Sequence, residues 1–189
     1  MYNNGMQLFH KKSTFYFLLA GTFVMIVIMF ITGKPLNTAT TPHGILNLEF
    51  ADSKQKVDSI LSAWENASTA EKDIIKAAKI NTWLDFLFLL FYGLFLYSCC
   101  IRLSQALHQH KIISRLLHYF AFAALVVGLL DVLENIGMLT SLAGKGSDSI
   151  AKITSTISVV KWLLVFSVIL SIIAGLAAKY FFKRKTSEV

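Results

Sequence analysis

Residues 116–139 read LLHYFAFAALVVGLLDVLENIGML, and this stretch decides the fold. It is apolar for long enough to cross a bilayer as a helix, which takes about 20 residues. Yet it carries Asp131, Glu134 and Asn135. A carboxylate at hydrocarbon depth is costly and faces a bundle interior or a wet cavity. These three residues fall at i, i+3 and i+4, so they share one helix face. Followed the other way, the same stripe meets Gly128, Ala124 and Ala121, small residues that let helices approach closely in lipid.

Three more apolar runs flank this one, at 14–32, 82–101 and 157–182. The sequence therefore predicts an all-α fold: an integral membrane bundle of four transmembrane helices forming a single membrane domain over 1–189. A partly helical extracytoplasmic loop, 33–81, joins the first two. Composition agrees, because 55% of residues are hydrophobic and only 15% are charged, where a soluble domain carries about a quarter. The first run follows Lys11 and Lys12, as a signal peptide would. It is longer than a usual signal core, however, and no A-x-A site follows in GKPLNTATTPHG, so it is read as a retained span. Cys99 and Cys100 are adjacent and make no C-x-x-C, so they are read as small apolar packing residues.

Lys and Arg cluster on alternate flanks: Lys11 and Lys12; Arg102, Lys111 and Arg115; and Lys183, Arg184 and Lys185. The loop 33–81 instead mixes six Lys with six carboxylates. Short basic flanks stay cytoplasmic. Both termini are therefore expected inside, in the inner membrane if the chain is bacterial, with loop 33–81 and the third connection outside. The net charge of +7 is mainly this asymmetry. It lacks the interleaved aromatics and motifs of a nucleic-acid surface, so no nucleic acid is expected as a partner. Membrane lipid is the expected environment.

With this orientation, Asp85 lies near the outer end of the second span, Asp131 and Glu134 in the outer half of the third, and Lys161 about one turn below the surface in the fourth. The four charges collect in one layer. Asn81, Asp85 and Tyr92 share one face of the second helix; Thr154, Ser158 and Lys161 share one face of the fourth if that helix starts early enough. The first span has no charge and reads as peripheral to the layer. Three carboxylates and one ammonium cannot all stay charged away from water: an acid keeps its proton, a cation enters, or water reaches them. Lys161 is expected to point inward and bond at least one of the acids. Its long stem would otherwise let it snorkel outward.

The outer loop carries its own pattern. Val57, Ile60, Leu61 and Trp64 recur at helical spacing. Ser68 with Glu71 forms a capping box, predicting a helix that begins near Thr69 and continues into the second span. Trp64 and the cluster Ile45, Leu46, Leu48 and Phe50 are predicted either to lie on the membrane interface or to lid the charged layer. Glu49, among them, is either a solvated carboxylate or a further member of the layer.

The ligand-binding candidates are thus Asp85, Asp131, Glu134, Asn135, Lys161, Tyr92 and Glu49, with no catalytic residue named. No metal and no cofactor are expected: His10, His43, His108, His110 and His118 avoid the apolar centres, and no two face each other at one depth. Small multidrug exporters carry their key Glu in the first helix and quinone-linked disulfide enzymes need C-x-x-C pairs, and this chain has neither. The leading expectation is binding or transport of a cation, proton or small amine, with a homo-oligomer needed for transport because four helices make a narrow path. The alternatives are a lipid or isoprenoid enzyme using Asp131 and Glu134 as paired acid and base, with Phe86, Phe88, Phe91, Tyr92 and Phe95 along an apolar groove, and an accessory subunit whose polar layer meets a partner's helices.

Overall fold

The four apolar runs form four long helices in the computed structural model, which describes residues 9, 11–70 and 72–187, with side chains through 182. They are α1 (Lys12–Gly33), α4 (Ile74–Ala106), α5 (Lys111–Thr140) and α6 (Asp148–Ser187). Between the first and second lie a 3-10 turn (Lys34–Leu36) and two short α-helices, α2 (Ile45–Glu49) and α3 (Lys54–Ala67). Each long helix is strongly apolar, with a mean hydropathy of 2.0 to 2.4 over its most apolar window. All four are long and apolar enough to cross a membrane.

The helices outrun the apolar segments that announce them. α5 has 30 residues, about 45 Å at 1.5 Å each, against a hydrocarbon core of about 30 Å. Backbone hydrogen bonds within a helix are local, so polar flanks such as IIKAAKIN and RLSQA continue it without an apolar partner. α4 begins at Ile74, five residues later than its capping signal suggests. Asp73 Oδ1 accepts from Lys76 N at 2.8 Å, and Ser68 Oγ accepts from Ile74 N at 2.9 Å. Asp73 is thus the side chain that caps the first turn. Ser68 still takes part, but from outside the helix; Glu71, the other half of the expected box, lies outside the described residues.

The chain divides into two compact units. One comprises Phe23–Leu90 and Leu129–Lys161. Its core gathers Leu36, Leu48, Val57, Trp64, Ile74 and Met138. Trp64 has no exposed surface, and its indole N–H lies 3.0 Å from both the Leu36 carbonyl and Thr41 Oγ1. Of the two placements expected for Trp64, the interfacial one is therefore excluded: the α3 stripe packs inward, and its tryptophan closes a core with its polar handle satisfied. Leu46 and Phe50 do stay exposed. Ser53 caps α3, whose first amide, Lys54 N, donates to Asp148 Oδ1 at 2.8 Å. α2 opens at Gly44, whose φ of 56° suits glycine, and a Cβ there would lie 2.3 Å from Asn37 Oδ1. α5 and α6 approach closely at Gly137, where a Cβ would lie 2.0 Å from Thr154 Oγ1.

The other unit comprises α1 up to Thr22, Phe91–Gly128 and α6 from Trp162. Ala121 and Ala124 are fully buried, as the small-residue stripe predicts. Gly128 departs from it: a Cβ there would meet nothing within 4 Å. The Ser104 and Ser114 hydroxyls, 3.0 Å apart, join the end of α4 to the start of α5.

Candidate functional site

The charged residues meet in the unit that holds Trp64. α5 contributes Asp131, Glu134 and Asn135 from one face, and exposure of all three is 3% or less. α6 contributes Lys161, which is 6% exposed and points inward rather than snorkelling. Its ammonium lies 2.9 Å from Asp131 Oδ1. It straddles the Glu134 carboxylate, 2.9 Å from Oε1 and 2.8 Å from Oε2, with hydrogen-bond geometry to Oε1. The inward, ion-paired lysine is what the shared depth of these residues predicts.

Glu49 joins them. It is 7% exposed, and its Oε2 lies 3.8 Å from Lys161 Nζ. It is therefore a buried member of the group, and the solvated alternative is wrong. Two serines on α6 explain its placement. Ser158 Oγ sits 3.1 Å from the Glu49 carbonyl and 2.9 Å from that of Thr154, while Ser155 Oγ donates to the Phe50 carbonyl at 3.4 Å. The last carbonyls of a helix lack intrahelical partners. Here α6 supplies hydroxyls to the end of α2, and so sets the Glu49 side chain beside Lys161. The Thr154–Ser158–Lys161 stripe is legible in the sequence; Ser155, its neighbour on the adjoining face, lies outside it. Its spacing of three from Ser158 is the signal that places it beside that face.

Asp85, on α4, enters through Asn135. Asn135 Nδ2 donates to Asp85 Oδ2 at 2.7 Å, which fixes the amide with its oxygen facing away from that carboxylate. Asn135 Oδ1 is buried and has no hydrogen-bond partner among the described residues. A buried acceptor left unpaired costs about 1–3 kcal/mol. Asn81, expected on the Asp85 face, instead donates to α1: Thr32 Oγ1 at 2.8 Å and the Met29 carbonyl at 3.2 Å. Its role is to tie α1 to α4. Tyr92 is half-buried two turns along α4 and belongs to the other unit.

Four carboxylates therefore accompany a single ammonium, a formal charge of −3 if every acid is ionised. Burying charge is favourable only when it is paired and hydrogen-bonded. The acids thus outnumber the ammonium, and the Asn135 oxygen keeps an unused lone pair. The group's acceptors are oxygens without Cys or His, and no cluster of side chains able to hold a metal ion is found among the described residues. No known protein family, curated protein or solved structure matches this chain. The functional reading rests on the site itself: four helices able to span a membrane, and buried carboxylates salt-bridged to Lys161.

Proposed function

We propose that this chain is an integral membrane protein that binds a cation, a proton or a small amine at the acidic group formed by Glu49, Asp85, Asp131, Glu134 and Asn135. Lys161 is the built-in counter-charge. It neutralises part of the acid excess and leaves the remainder for the ligand. Asn135 orients Asp85 with its amide N–H and presents its oxygen to the incoming donor. The observation that carries this reading is the surplus of buried carboxylates beside an unpartnered buried acceptor. Transport, as distinct from binding, calls for a homo-oligomer, since four helices leave a narrow path. The burial of the charges within the chain favours a site of its own over a polar face kept for a partner's helices.

The test is thermal unfolding of the purified protein in lipid nanodiscs, titrated with sodium, potassium and methylammonium. At least one of these is expected to raise the midpoint of the wild type and of Glu65→Gln, an exposed acid outside the group. Asp131→Asn is expected to lose most of that gain. Equal responses in Asp131→Asn and Glu65→Gln reject the site. Asp148 makes a poor control, because it accepts from the first amide of α3.

The proposed topology puts both termini in the cytoplasm and the α2–α3 loop outside. Reporter fusions after Lys111 and at the C-terminus are expected to signal cytoplasm. A periplasmic or lumenal signal from either would reverse the orientation and place the acidic group on the inner side.

A further inference from the structure

A second feature lies apart from the acidic group, within the unit that holds Arg102. A groove of about 600 Å³ runs among α1, α4 and α6. Its walls include Phe15, Phe95, Ile172 and Leu176, and they are overwhelmingly apolar. On α6 it extends from Ile169 to Lys179, ten residues, or about 15 Å of helix. That is half of a hydrocarbon core of about 30 Å, the depth of one leaflet. A polar solute has nothing to bond along such walls, whereas an acyl chain matches both their chemistry and their length.

The end of the groove is charged. Arg102 and Lys179 belong to its lining, from α4 and α6. The guanidinium of Arg102 is held there: it lies 4.9 Å over the Phe15 ring, and Nη1 is within 3.5 Å of the Phe9 and Lys11 carbonyls. Lys179 is exposed, as are Lys11 and Lys12 at the start of α1. Two cations thus stand at the depth where a headgroup phosphate would sit above a chain in the groove. Basic pockets between membrane helices select anionic headgroups for this reason.

We infer that the groove among α1, α4 and α6 is a binding site for one anionic phospholipid, an acyl chain along Phe95, Ile172 and Leu176 and the phosphate between Arg102 and Lys179. This rests on the membrane placement proposed above but not on the acidic group, whose residues take no part in it. Arg102 and Lys179 give headgroup selectivity; the apolar walls give affinity that is indifferent to the headgroup.

The experiment is native mass spectrometry of the full chain released from micelles holding phosphatidylglycerol and phosphatidylcholine with the same acyl chains. Two cations at the headgroup favour the anionic lipid by about thirtyfold, and Lys179→Gln is expected to cut that preference about fivefold. Arg102→Gln with Lys179→Gln is expected to remove it. Leu176→Trp, at a half-exposed position, fills the groove and is expected to reduce binding of both lipids. Glycerol phosphate, a headgroup without chains, is expected not to compete. Equal retention of the two lipids by the wild type overturns the site but leaves the membrane placement intact, as does a preference that survives Lys179→Gln undiminished. Retention of neither lipid, with the protein partitioning into the aqueous phase of a detergent extraction, overturns the site and the placement together.

Discussion

Lys161→Met is expected to destabilise the protein by about 3–5 kcal/mol, the cost of stranding buried charges whose partner is removed. Lys161 is the ammonium within reach of Asp131, Glu134 and Glu49, all three nearly excluded from solvent. Methionine fills much of the same volume, so the loss reports charge rather than a cavity. Glu134→Gln alone is expected to cost less, because Lys161 keeps Asp131 at 2.9 Å. The double variant, Lys161→Met with Glu134→Gln, is expected to regain a large part of the loss, since one fewer carboxylate is stranded. Unfolding in lipid–detergent mixtures measures all three. A loss below about 1 kcal/mol for Lys161→Met, the size of an exposed pair, would contradict the buried network.

Trp64→Ala is expected to cost about 3–5 kcal/mol, as for a large aromatic removed from a packed core. Trp64 is wholly buried in the cluster that includes Leu36, Leu48 and Met138. Its removal also withdraws the indole N–H from Leu36 O and Thr41 Oγ1. Trp64→Phe keeps most of the apolar surface and is expected to cost less than the alanine change. Limited proteolysis gives an independent reading: cleavage within 37–73 should accelerate in Trp64→Ala, while the long helices persist. A loop in Trp64→Ala as resistant as in the wild type would mean that Trp64 does not hold it. The α2–α3 region also carries Glu49, so loosening it is expected to weaken the acidic group as well.

Much of this arrangement is legible in the residues themselves. Four apolar runs of bilayer length announce four helices, because only a helix satisfies the backbone of a single apolar segment within that segment. The inward position of Lys161 follows from depth and periodicity, both of which are properties of one helix at a time. The rest depends on contacts between segments distant in the chain. Glu49 sits in a five-residue helix with no periodicity to read, and its burial is decided by Ser155 and Ser158, more than 100 residues away. Trp64 lies on a stripe that would suit a membrane interface as well as a core; only Leu36 and Thr41, folded back onto it, decide between them. Asn81 shares the Asp85 face by spacing, yet Thr32 of α1 claims its amide. In each case the local pattern names the face, and a partner elsewhere in the chain determines what that face meets.

The central claim is that the acid surplus around Lys161 takes up a cation, and calorimetric titration of the nanodisc-embedded protein with methylammonium tests it most directly. The account predicts saturable binding at one site per chain, weakening as the pH falls because protons compete for the same carboxylates. It also predicts that Asp131→Asn abolishes the heat and Glu65→Gln leaves it unchanged. Heats from sodium, potassium and methylammonium that match those of empty nanodiscs throughout, or binding that survives Asp131→Asn intact, would contradict it.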